Sequence, residues 1–136
     1  MKESRLDSSG IFKILGVVYA LFGVFALLGS VFLWGQGFIL NPPEGVDLAF
    51  PVADTLINAP ASILTGIGFW RMRKWGFALA WFTAGFYLYA SVEIFVHALQ
   101  EGILTSALEI TIPQVAAVLV ALVTMVVTWK NREKFI

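Results

Sequence analysis

The residues that could do chemistry stand at the ends of otherwise apolar stretches. Asp54 and Asn58 are four residues apart, with Pro60 just beyond them. Tyr89, Glu93 and His97 repeat that spacing, so a helix would carry all three on one face. Gln114 follows Pro113, and Glu109 lies one turn before it. Counted from the tryptophans that flank the apolar stretches, these groups come to one level in three separate helices. A carboxylate, amides, a phenol and an imidazole together would suit a small molecule, a lipid headgroup or a cation, with Phe82 and Phe86 as an aromatic wall. Glu93 and His97 with Asp54 or Glu109 also offer the donor types of a divalent-metal site for zinc, manganese or iron. A plainer reading needs no ligand. Glu93 could bond His97, and Asp54 could cap the start of its helix.

Catalytic patterns are missing. The chain has no cysteine and no H-E-x-x-H, G-x-S-x-G or P-loop motif. Ser91 and His97 are six residues apart and fall on different faces of a helix. One histidine cannot supply a bis-His haem. The chain therefore reads as a non-enzyme.

The elements that must hold these groups follow from composition. Of 136 residues, 59% are hydrophobic and 13% charged, with nine basic residues balancing nine acidic ones. Such a chain is neither disordered, nor a disulfide scaffold, nor a nucleic-acid binder. It is also too short to hide that much apolar surface in a water-soluble core. Four stretches, at about 11–34, 52–70, 76–97 and 110–129, are near the length that crosses a hydrocarbon core. The expected fold is all-α: one integral membrane domain over 1–136, a four-helix bundle of four transmembrane spans. The first stretch exceeds the apolar core of a signal peptide and reads as a retained anchor.

Every Lys and Arg falls on one side of that arrangement: Lys2, Arg5 and Lys13, then Arg71, Arg73 and Lys74, then Lys130, Arg132 and Lys134. The positive-inside rule puts that side, and both termini, in the cytoplasm, with the inner (plasma) membrane as the expected location. Trp70, Trp75 and Trp129 mark the inner boundary and Trp34 the outer one. The outer side keeps Glu44, Asp47, Asp54, Glu93, Glu101 and Glu109, a field that favours cations.

Three connections differ in kind. Residues 71–75 are so few that the helices they join must be antiparallel neighbours. The apolar outer loop at 35–51 contains Pro42, Pro43 and Pro51, which should keep it from being one continuous helix, and it could rest on the bundle or act as a lid. Residues 100–109 could extend a helix. Small residues mark expected packing faces at Gly16, Ala20, Gly23 and Ser30, at Ser62 and Gly66, and at Ala117, Ala121, Thr124 and Thr128.

Together these features predict a small multi-pass membrane protein, an accessory or ligand-binding bundle with an acidic pocket open to the outside. Its site would draw on Asp54, Asn58, Phe86, Tyr89, Glu93, His97 and Gln114. Two alternatives stand beside it: a small oligomeric cation- or proton-coupled transporter, and a divalent-metal-binding membrane protein. Expected partners are the lipid bilayer, further copies of the chain or a larger membrane complex, and a small molecule, lipid or cation at the outer face.

Overall fold

The structure is a computed structural model that describes residues 8–37, 40–41 and 48–135. Its elements are α1 (Ser8–Gly35), α2 (Ala49–Ala53), a π-helical turn (Asp54–Asn58), α3 (Ala59–Arg71), α4 (Lys74–Gln100), α5 (Leu108–Lys130) and a closing 3-10 turn (Arg132–Lys134). Four helical stretches, Ser9–Gly35, Pro51–Arg71, Lys74–Gln100 and Leu108–Lys130, are long and apolar enough to cross a membrane. The second of them is built from α2, the π turn and α3 running on without a break.

Burial follows the logic of lipid as solvent. The buried polar side chains are Ser30, Ser62, Thr65, Thr83, Ser91, Thr124 and Thr128, beside buried alanines such as Ala59, Ala80, Ala84 and Ala121. Large apolar residues such as Phe25, Leu28, Phe32 and Leu119 point outward instead. Exposed apolar surface on this scale is untenable in water and ordinary in a bilayer. The chain is a small multi-pass membrane protein.

Close packing rests on glycine. A Cβ on Gly66 would come within 2.6 Å of the Gly16 carbonyl, and one on Gly23 within 2.9 Å of the Ala59 carbonyl. Helices α1 and α3 therefore meet backbone to backbone. At the α3–α4 turn, Gly76 lies against Gly68 in the same way, its Cβ position only 2.6 Å from the Gly68 Cα.

The C-terminal ends of α3 and α4, at opposite ends of the bundle, both close with paired backbone bonds. At α3, Arg73 donates to the Gly68 carbonyl at 3.3 Å and Met72 to that of Phe69 at 3.3 Å, with Met72 left-handed at φ 48. At α4, Ile103 donates to the Ala98 carbonyl at 2.9 Å and Gly102, at φ 69, to that of Leu99. Both are the Schellman arrangement. The second one ends α4 at Gln100, so residues 101–107 turn back instead of extending the helix.

The helix of the second span begins at Ala49, ahead of the expected 52. Pro51 lies inside α2, because the first turn of a helix has no internal acceptor for the N–H that proline lacks. That early start leaves Asp54 in the helix interior, not at its cap. Residues 38–39 and 42–47 of the apolar outer loop lie outside the described residues, and so does the lid reading.

The basic end of the bundle is closed by aromatic rings. After the 3-10 turn, Phe135 folds back and is buried against Phe12 at 5.1 Å, Phe77 at 5.5 Å and Phe69 at 6.2 Å between ring centroids.

Candidate functional site

Pro60 shapes the site from below. Its ring would strike the carbonyl four residues back and it has no N–H to give. The helix widens ahead of it, and Ala59 donates to the Asp54 carbonyl five residues earlier. Thr55 bonds back to the Pro51 carbonyl at 2.8 Å. π turns of this kind gather at functional positions in helices.

Below the π turn, one stripe of side chains is joined end to end. Asn58 Nδ2 donates to Asp54 Oδ1 at 2.8 Å, and Ser62 Oγ donates to Asn58 Oδ1 at 3.0 Å. The Ser62 hydroxyl also meets the Tyr87 hydroxyl at 2.7 Å. Ser62 has a single proton, already given to Asn58, so Tyr87 is the donor in that contact. Each hydrogen bond in the series Tyr87, Ser62, Asn58 thus donates toward the Asp54 carboxylate.

The inner end of the series lies where all four spans meet. The Tyr87 ring stacks on Tyr19 of α1 at 5.5 Å, the planes 19° apart. Tyr19 OH in turn donates to Thr124 Oγ1 of α5 at 3.1 Å. Toward the basic end, Thr65 of α3 and Thr83 of α4 share a bond of 2.9 Å. Toward the other end, Ser91 Oγ donates to Gln114 Oε1 at 3.1 Å, tying α4 to α5.

These contacts define the inward stripe of α4 as Thr83, Tyr87 and Ser91, all buried. Tyr89, Glu93 and His97 start two positions later, a rotation of roughly 200° on a helix. They are exposed on the far side of α4, Tyr89 at 68%. Of the seven residues expected from sequence, the structure joins Asp54 to Asn58 and gives Gln114 a partner in Ser91. Phe86 is half-buried against the core. Tyr89, Glu93 and His97 are not brought into the buried series.

The donor set for a metal does not converge either. Among the described residues there is no group of three or more His, Asp or Glu side chains able to hold an ion, so Glu93, His97, Asp54 and Glu109 make no such cluster.

Sequence reasoning missed Ser62 as a bonded group, and missed Tyr19, Tyr87, Thr65 and Thr83 altogether. The signal was present, since Thr83, Tyr87 and Ser91 share the spacing of Tyr89, Glu93 and His97 and are interleaved with Ala80 and Ala84. The chain matches no protein-family model, no curated protein and no solved structure.

Proposed function

We propose that this is a non-enzymatic accessory or ligand-binding membrane protein that takes a small cation at Asp54, near the outer end of its bundle. Both termini face the cytoplasm in this reading, and the membrane is the plasma membrane. The observation that carries it is the donor-ordered series from Tyr87 through Ser62 and Asn58 to the carboxylate. A carboxylate inside a membrane-length helix is costly to keep, and a cation is its natural counterpart. Asp54 lies about 24 Å along the helix from Trp70, which puts it below the outer surface and not in open water. The described Lys and Arg residues all belong to the opposite end, so none of them competes for it.

The test uses purified protein in lipid nanodiscs and a panel of sodium, potassium and methylammonium chlorides. At least one cation should raise the unfolding midpoint saturably in the native protein, by linkage to the folded state. The same cation should do nothing to Asp54→Asn. A panel without effect, or an equal effect on Asp54→Asn, contradicts the proposal.

Transport is the second reading, favoured by the π turn, which widens a spanning helix beside its carboxylate. Asn58 limits what could move. An amide donates and accepts hydrogen bonds but does not pick up and release protons, so the series is no proton wire. In this reading the cation itself crosses. Uptake of the stabilising cation into proteoliposomes, lost in Asp54→Asn, would support transport, and binding without uptake would leave the binding role alone.

A further inference from the structure

A groove of about 420 Å³ runs along the outside of the bundle between α1 and α3, away from Asp54. Gly16, Ala20 and Gly66 form its floor, where the two backbones touch and the Trp70 indole lies over Gly16. Val17 and Ile67 stand along its sides and are exposed. The apolar lining ends in Trp70 and Arg71, both exposed, so the groove has an oily length and a cationic mouth.

A second cation belongs to the same mouth. Helices α1 and α3 run antiparallel, because Gly16 meets Gly66 and Trp70 while Gly23 meets Ala59 and Ile63. Lys13 therefore lies about one turn beyond Gly16 toward the basic end, and it shares a helical face with groove-lining Val17. Lys13 is exposed, as Arg71 is. Arg73 and Lys74 follow at the same end, and Glu133 is the acidic residue described there. A guanidinium and an ammonium flanking one opening suit a phosphate, with the planar guanidinium able to bind two of its oxygens. The exposed Trp70 indole sits at the level where headgroup and acyl chain join.

We propose that this groove is a binding site for an anionic phospholipid: an acyl chain lies over Ala20 and Gly66, beside the Trp70 indole, and its phosphate is held between Lys13 and Arg71. Zwitterionic lipid fits the apolar length equally well but brings its own cation to a mouth that is already positive. The site thus selects by headgroup charge, while the groove supplies the seat.

Native mass spectrometry of the delipidated full chain in non-ionic detergent tests this, with dioleoyl phosphatidylglycerol and dioleoyl phosphatidylcholine as probes. Phosphatidylglycerol should bind first and about tenfold or more tightly. Arg71→Gln should weaken it roughly fivefold, and Lys13→Gln with Arg71→Gln should erase the preference. Val17→Trp, which fills the groove from an exposed position, should lower binding of both lipids. Leu119→Trp on the exposed face of α5 should leave binding unchanged. Helical circular dichroism confirms that each variant is folded. Equal affinity for the two lipids, a preference that survives the double substitution, or native-like binding by Val17→Trp overturns the proposal.

Discussion

Asn58 is the residue on which the buried series turns, because it joins the carboxylate to the hydroxyls of Ser62 and Tyr87. Its amide N–H₂ serves the Asp54 carboxylate and its carbonyl receives the Ser62 proton. Tyr87 stands at the end of the series and serves one partner, Ser62. The two positions should therefore differ on substitution. Tyr87→Phe leaves the Ser62–Asn58–Asp54 part intact and should cost about 0.6 kcal/mol, the mean for side-chain hydrogen bonds between membrane helices. Asn58→Leu keeps the volume but takes the donor from a half-buried carboxylate, and should cost about 1–3 kcal/mol. Reversible unfolding in mixed micelles measures both. A larger loss for Tyr87→Phe would show that the series is not built as described. Asp54 and Asn58 could be read from the sequence because a carboxylate and an amide one turn apart are conspicuous in an apolar span. Tyr87 carried a spacing signal with Thr83 and Ser91, but Tyr89 and Glu93 beside it look more chemical and masked it. In a membrane, hydroxyls and small side chains mark the interior, and a charge near a span end can equally face outward.

Among the elements, the α1–α3 pair is held closest. No apolar attraction of the aqueous kind drives helices together in lipid, so contact depends on how near the backbones come. Gly66→Val should separate the pair, since its Cβ position is already 2.6 Å from the Gly16 carbonyl. The expected loss is about 1–3 kcal/mol, as for other overpacked sites. Gly85 of α4 has nothing within 4 Å of its Cβ position, so Gly85→Ala should gain about 0.5–1 kcal/mol through helix propensity. Thermal unfolding of the two variants checks the contrast. Equal effects would mean that glycine is not what sets the α1–α3 distance. The four spans themselves were plain in the apolar runs, with ends displaced by three residues at most, the largest being 97 against Gln100. The π turn was half legible: Pro60 forecast a disturbance, but its form depends on backbone pairing that residue type does not reveal. Phe135 left no signal, because it sits past the last span and buries itself through a turn with no periodic pattern.

At the scale of the whole molecule, a net charge of zero conceals a strongly divided object. Among the described residues, Lys13, Arg71, Arg73, Lys74, Lys130, Arg132 and Lys134 belong with Glu133 to one end, and Asp54, Glu93, Glu101 and Glu109 to the other. The same division separates an apolar, ring-filled basic end around Phe135 from a hydrogen-bonded end at Asp54. The account expects the basic end in the cytoplasm. The chain has no cysteine, so single replacements report cleanly. Gln36→Cys and Glu101→Cys should react with a membrane-impermeant maleimide in intact cells, whereas Arg73→Cys should react only after lysis. The reverse pattern would invert the topology and make the Asp54 end cytoplasmic.

The central claim, that Asp54 is the seat of a cation, is tested most directly by the carboxyl resonance of Asp54 itself. In protein labelled with carbon-13 at aspartate side chains and held in nanodiscs, that resonance is identified by its absence from Asp54→Asn. It should move saturably as methylammonium, or whichever cation stabilises the protein, is added. It should move as well in Glu93→Gln, since Glu93 lies on the far side of α4. A resonance that stays fixed, or that only drifts with ionic strength regardless of the cation, contradicts the account.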